Sequence, residues 1–422
     1  MISELQAASI QEASIQEASI QATSIQATEQ PLTDLLPLPP EQSGVWLPFQ
    51  RDDDDDIYTY EGWRKYRDRD APEKPPLISK DDYQSLDVDA QHDYDELRRL
   101  YTMRFPSINT PDLKQAHERM WGQLQSNLYS QPDSVKVGAM IDGYAGLGKT
   151  VIAKTFARRF ERHLLKIARF ATPKNRDEFI PVVHVTLKGQ TTPKGLAQSI
   201  CRFLAIGLRG RPSEQELIDA ICVAVKKHNV LLFVIDDIHF LDPKYDHSKE
   251  ITSHLKALMS LTGKTFLYVG IDCEKMGIFK DPGNNNPLAS QTASRFIHQV
   301  VRPFEKNDKN WRVLLKSIEA HLFLLNHTPG SLEKLSGYLF KRTQGNLGSL
   351  MNLLQKGAFL AIGGHEKLDR AYLDQVQIDY RASIDEQKDR SDTSPRTGDT
   401  DPEKPNLKKS VRKEDHDQKG DR

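Results

Sequence analysis

The chain has 422 residues, with 58 Lys and Arg against 59 Asp and Glu. The resulting net charge of −1 argues neither for nor against a nucleic-acid partner. Only 38% of residues are hydrophobic and mean hydropathy is −0.59, which allows about two to three domains but excludes a chain that is mostly core. No apolar run approaches the ~18 residues of a membrane span, and no basic start with an apolar stretch opens the sequence. The cysteines Cys201, Cys222 and Cys273 are widely spaced, which suits neither a disulfide framework nor a zinc site. A cytoplasmic protein with no membrane partner is expected.

Residues 8–27 repeat a five-residue unit, ASIQE, ASIQE, ASIQA, TSIQA, whose period fits neither a heptad nor a solenoid. A proline-rich linker follows over 31–48. The run from Arg51 through Asp56 is a solvated acidic stretch that lacks the Gly and Glu of a calcium loop. Trp46, Phe49, Tyr58, Tyr60, Trp63 and Tyr66 punctuate this charged region without helical or strand period. They read either as a docking motif that orders on a partner or as rings packed on the protein's own core. Residues 1–80 are therefore expected to be a low-complexity, largely disordered extension with an aromatic docking segment. Residues 81–134 are expected to be a helical cap, with apolar residues at helical spacing over 94–103 and 112–128 and Pro111 at a helix start.

Next comes GYAGLGKT, from Gly143 to Thr150, directly after an apolar run over 135–141. A strand, a glycine-rich loop and a helix in that order form a phosphate-binding loop. Backbone N–H groups of Gly143, Tyr144, Ala145, Gly146, Leu147 and Gly148 cradle phosphate oxygens, Lys149 neutralises them, and the Thr150 hydroxyl ligates Mg²⁺. The expected ligands are ATP and Mg²⁺. The helix over 150–170 carries Lys154, Arg158, Arg162 and Lys166 at i+4 spacing, either a nucleic-acid face or a solvated one. A strand over 180–187, helices over 193–206 and 213–228, and the apolar run 230–235 follow.

That last run ends in Asp236-Asp237-Ile238-His239. A carboxylate at the carboxyl end of a buried strand beside a phosphate loop holds Mg²⁺, the role expected of Asp236, and Asp237 is placed to orient the attacking water. A helix over 248–262 and a strand over 265–271 complete the alternation, which means a parallel sheet covered on both faces. Asp272 reads as a polar sensor of the γ-phosphate or as a helix cap ahead of Glu274. After Val301 the strand signal stops, and 308–324, 331–342, 347–362 and 369–377 read as helices of a lid. The expected fold class is α/β, an αβα nucleotide-binding domain over 135–304 with a C-terminal all-α lid over 305–380. The polar, charged tail over 381–422 cannot fold alone, and serves either to dock a partner or to solubilise.

This architecture resembles the AAA+ P-loop NTPases. QTASRF (291–296), followed by VVRPF (300–304), is similar to the Ser-Arg-Phe box of initiator-type AAA+ ATPases, which implies that Arg295 reaches the γ-phosphate held by a neighbouring subunit. Together with IDDIH (235–239), PVVHVTLKGQTTPKGLAQSI (181–200) and RTQGNLGSLMNLL (342–354), the chain resembles the TniB and TnsC-type ATPases of transposition over about residues 94–380. The resemblance implies ATP binding and assembly as a homo-oligomeric ring or filament on double-stranded DNA. It also implies delivery of a target site to a transposase, with a target-selection factor as a further partner.

Lys188, Thr192 and Lys194 fall in the loop where initiator-type relatives line the DNA channel, and Arg209 and Arg211 follow in the next loop. Cations and hydroxyls there suit phosphate contact without base reading. Two departures bear on rate. Gly345-Asn346-Leu347-Gly348 offers glycine where many lids place a sensor arginine, and Asp237 is shorter than the Glu common at its position. Slow hydrolysis acting as a timer is expected. The rival readings are a signalling or defence NTPase that switches protein partners without DNA, and a replication initiator or helicase loader.

Overall fold

Short β-rich apolar runs become the strands of one sheet: β1 (Gly138–Asp142), β2 (Val182–Thr186), β3 (Leu232–Asp236), β4 (Thr265–Gly270) and β5 (Phe296–Val300). The computed structural model describes residues 56–104, 106–131, 134–168, 179–189, 191–241, 255, 257–273, 296–306 and 308–378. Helices α1 (Tyr60–Asp68), α2 (Lys80–Ser85), α3 (Val88–Arg104) and α4 (Pro111–Tyr129) precede the sheet. Connecting its strands are α5 (Lys149–Ala168), α6 (Pro193–Phe203) and α7 (Glu214–Lys227). After it come α8 (Lys309–Glu319), α9 (Ser331–Lys334), α10 (Ser336–Thr343), α11 (Leu347–Ala361) and α12 (Arg370–Leu373).

All strand pairings are parallel and the order is β2-β3-β4-β1-β5. β1, β3 and β4 are buried along their whole length, as continuous apolar strands covered on both faces must be. The register sets Asp142 beside Gly270 and Val300, and Asp236 beside Thr186, so the carboxyl ends of the strands align at one edge. β5 is the strand that hydrophobic pattern does not foresee. His298 and Gln299 interrupt its apolar run, and as an edge strand it buries Gln299, which accepts from Arg119 at 3.0 Å. The helix expected over 331–342 is divided at Leu335 into α9 and α10, and the one expected over 369–377 is limited to α12.

The N-terminal segment departs from expectation. Part of the extension expected to be disordered is helical, and its rings pack inward. Trp63 is fully buried; its indole N–H donates to Glu161 at 2.6 Å, and its ring stacks on His184 of β2 at 5.0 Å. Arg67 donates to the same carboxylate at 2.7 Å. A carboxylate with no exposure tolerates burial because both partners satisfy it. Two members of the basic row of α5, Arg158 and Arg162, meet this segment, while Lys166 is exposed. Arg158 donates to the carbonyls of Arg67 and Arg69 and lies over Tyr66, Arg162 approaches Asp70 at 3.8 Å, and Lys154 is half-buried. The repeat, Trp46, Phe49 and residues 51–55 lie outside the described residues.

Two hydrophobic clusters form. The larger spans both faces of the sheet and takes in Trp63 of α1 and Leu113, Ala116, Met120 and Leu124 of α4. The smaller is built from Trp311, Leu314, Leu350, Leu353 and their neighbours, and takes in Tyr101 of α3. The segment expected as one cap is therefore shared: α4 packs on the sheet and α3 on the lid. Fully buried Arg98 fastens α3, donating to Glu366 at 2.8 and 2.9 Å, to the Phe323 carbonyl at 3.0 Å and to Asp95. Among the described residues no helix is long and apolar enough to cross a membrane, and all three cysteines are free.

Trp63→Ala empties a core site and strands the Glu161–Arg67 pair, so it is expected to lower stability by about 3 kcal/mol. Urea unfolding reads this as a shifted midpoint. An unchanged midpoint would contradict the anchoring of α1.

Candidate functional site

The glycine-rich stretch turns sharply out of β1 because Gly146 and Gly148 take φ of 77° and 85°, conformations that a side chain disfavours. The loop delivers Lys149 and Thr150 to the first turn of α5. Lys149 is 8% exposed and donates to the Tyr144 carbonyl at 2.6 Å. Burial pulls its pKa below the ordinary lysine value, opposed by the Asp142 and Asp236 carboxylates. Tyr144, Ala145 and Gly146 are exposed, Leu147 is buried, and Gly143 and Gly148 are intermediate. The structure thus brings the whole predicted loop to the edge where β1 and β3 end.

Asp236 ends β3 across from this loop and is 1% exposed. One carboxylate oxygen accepts the Asp237 N–H at 2.9 Å; the other is buried with no hydrogen-bond partner among the described residues. Burial pushes its pKa above the usual carboxylate range, reinforced by Asp237, while the hydrogen-bonding Thr150 hydroxyl pulls it down. A hydroxyl beside an orphaned buried carboxylate oxygen is a donor set that fits a hard divalent cation such as Mg²⁺. Asp237 adopts a left-handed backbone, φ 57° and ψ 40°, and is partly exposed.

His239 stands 3.9 Å from the Asp237 carboxylate, and sequence reasoning assigns it no role. Burial lowers its pKa, Asp237 opposes this, and Lys149 adds to it. Its place three residues after the strand-ending Asp236 is the available signal. Cys273, after β4, is also close to Lys149 and Asp142, and burial pushes its thiol up to about 12. Asp272 beside it has a left-handed φ of 50°, and its sequence partner Glu274 lies outside the described residues.

The lid meets the loop's backbone carbonyls. The Gly348 N–H donates to the Gly146 carbonyl at 2.7 Å, and the Asn346 side-chain amide donates to the Ala145 carbonyl at 3.1 Å. A Cβ at Gly348 would lie 2.8 Å from the Gly146 oxygen, so this approach leaves no room for the arginine that many lids carry. Behind the loop lies a mainly apolar pocket of ≈ 370 Å³, bounded by Ile108, Val301, Phe304, Leu347 and Met351, with Asp112 and Arg302 as its charged members among the described residues. Walls of that kind suit a planar heterocycle. Its components come from separate segments, which sequence reading could not assemble.

The remaining candidates are dispersed. Arg295 lies outside the described residues. Its neighbour Phe296 pairs with Gly138, at the end of β1 opposite the phosphate loop. Lys188 is exposed at the carboxyl end of β2, and Thr192 caps α6 by accepting from the Gly195 N–H at 3.1 Å. Lys194 is near Glu216 of α7, whose carboxyl its charge helps hold down. Arg209 and Arg211 are exposed between α6 and α7.

Residues 133–272 match the family described as AAA domain, a third of the chain. With the parallel order in which β4 separates β1 from β3, this makes the fold that of an AAA+ P-loop NTPase. The chain is similar to the ORC1 protein of Aeropyrum pernix in complex with DNA, at 16% identity over 69% of this chain and 70% of that one, TM-score 0.48. It is similar to Cdc6p of Pyrobaculum aerophilum, at 17% identity over 62% and 65%, TM-score 0.45. Domain III of the Thermotoga maritima replication initiation protein DnaA gives 15% identity over 63% and 91%, TM-score 0.39. No curated protein matches the sequence.

A carboxyl whose pKa rises on folding makes stability fall as pH increases from the unfolded to the folded pKa, because the native state binds the proton more tightly. Asp236→Asn removes the charge and is expected to raise the urea midpoint of the nucleotide-free protein. A lower urea midpoint for this variant would contradict the reading of a buried, unsatisfied carboxylate.

Proposed function

We propose that this protein is an ATPase that oligomerises on duplex DNA and marks a target for a transposase. The carrying observation is the convergence of Lys149, Thr150 and the orphaned Asp236 oxygen at one edge of the sheet. In this reading loop N–H groups and Lys149 hold the β- and γ-phosphates, the apolar pocket takes the base, and Thr150 and Asp236 hold Mg²⁺. The metal supplies charge neutralisation on the transferred phosphoryl group. Asp237, with His239 beside it, orients a water for attack on the γ-phosphorus. The bond to the bridging oxygen breaks, ADP leaves, and the water proton passes to the departing phosphate or to Asp237. With a short carboxylate at Asp237 and glycine at Gly348 in place of a sensor arginine, turnover is slow and times disassembly.

Arg295 completes the site of a neighbouring copy. The position of Phe296 supports this: it opens β5 one strand length, roughly 17 Å, from its own phosphate loop. Lys188, Thr192, Lys194, Arg209 and Arg211 supply sequence-independent phosphate contacts at the loop edge of the sheet. Support for the transposition role is the motif set shared with TniB and TnsC-type ATPases, and the target-selection factor and transposase are partners of that reading.

Binding to a labelled, sequence-random duplex across a salt series tests it. ATP-dependent, cooperative, salt-sensitive binding is expected, lost in Lys149→Ala. No binding with ATP, ADP or neither would discard the DNA role and favour a switch acting on protein partners.

A further inference from the structure

A second cavity, of ≈ 280 Å³, opens at the carboxyl end of β2 and is separate from the nucleotide pocket. Tyr58, Lys188, Thr191, Thr192, Ser199 and Arg202 are among its lining residues, and no carboxylate of the described residues lines it. Two of these side chains come from unexpected places. Arg202 is near the end of α6, and Tyr58 belongs to the N-terminal segment. The Lys188 ammonium sits over the Tyr58 ring, 4.0 Å from its centre.

Hydrogen-bond accounting separates the donors from the spectators. The Thr191 hydroxyl already donates to the Lys188 carbonyl at 3.1 Å, and the Ser199 hydroxyl to the Gly195 carbonyl at 2.9 Å. The Thr192 oxygen accepts from the Gly195 N–H, which leaves its own proton to donate. A cavity offering two cations and the Thr192 hydroxyl as a donor, with no carboxylate of the described residues in its wall, is complementary to an anion with several acceptor oxygens. The aromatic wall adds a surface for a sugar or base.

We propose that this cavity seats one phosphate ester, held by Lys188, Arg202 and the Thr192 hydroxyl, with Tyr58 positioning the Lys188 ammonium. On the DNA-binding reading above, on which this assignment rests, the group is a phosphodiester of the duplex backbone. Tyr58 is fixed for the task because it immediately precedes Thr59, the cap of α1, and α1 is clamped by Glu161. The N-terminal segment thereby becomes part of the nucleic-acid surface.

Two measurements on the full chain, with ADP filling the phosphate loop in the second, keep the seat and the DNA role distinguishable. In duplex binding, Arg202→Ala is expected to lower affinity about tenfold and to flatten the log–log salt slope by about one. Tyr58→Ala should lose about threefold, and Tyr58→Phe, which keeps the ring, should restore binding. In calorimetry, inorganic phosphate should bind the ADP-filled protein weakly and fail to bind Arg202→Ala. ADP affinity and urea midpoint report on folding of each variant. Undiminished duplex binding by Arg202→Ala and Tyr58→Ala, with no phosphate heat in any protein, overturns the seat and leaves the DNA role standing. Phosphate binding that Arg202→Ala abolishes, in a protein that binds no duplex, keeps the seat for a free phosphate ester and removes the DNA role.

Discussion

A buried negative charge governs the edge of the sheet where the phosphate loop lies. Asp236 is almost without exposure, carries an oxygen that no described neighbour satisfies, and shares its surroundings with the buried ammonium of Lys149. Desolvated charges of this kind are unfavourable in isolation. They are held because strand order leaves them no alternative: β4 separates β1 from β3, both strands end at the same level, and the glycine-rich turn aims α5 at the gap. Strain concentrated there is what a cation and a triphosphate would relieve.

The rest of the molecule ties two bodies to that edge. The N-terminal part of the chain is anchored on the sheet through Glu161 and on the lid through Arg98 and Glu366. Described parts of the two connections between these bodies, Pro106 to Thr110 and Val301 to Phe304, both line the apolar pocket behind the phosphate loop. A lid displacement therefore changes the shape of that pocket. The Gly348 N–H on the Gly146 carbonyl and the Asn346 side-chain amide on the Ala145 carbonyl are direct contacts that join the lid to the loop.

Sequence made the nucleotide edge legible because its residues are consecutive and their chemistry is compulsory. GYAGLGKT needs glycines where φ is positive, and an apolar strand that ends in a carboxylate such as Asp236 buries a charge that only a cation can compensate. The parallel sheet was legible for the same reason, except β5, where His298 and Gln299 hide an edge strand. What stayed hidden depends on partners far apart in sequence. Sequence leaves Trp63 open between docking and core, and Arg67 looks like a surface residue, until Glu161, more than ninety positions away, is brought beneath them. Arg158 looks like a free cation until the carbonyls of Arg67 and Arg69 cover it. His239 closes the IDDIH run without a role that the run assigns it, and Cys273 carries no motif; what burial places next to them is what marks both.

On the proposed reading the catalytic site is shared between copies assembled on DNA, and the direct measurement is ATP hydrolysis on duplex by Asp237→Asn, which keeps the phosphate loop and so the ATP-dependent assembly, by Arg295→Ala, and by an equal mixture of the two. Each variant alone should be inactive, and the mixture should recover about a quarter of wild-type turnover, since only interfaces pairing an intact Asp237 with an intact arginine function. Activity in Arg295→Ala alone, or none in the mixture, would contradict a site completed in trans.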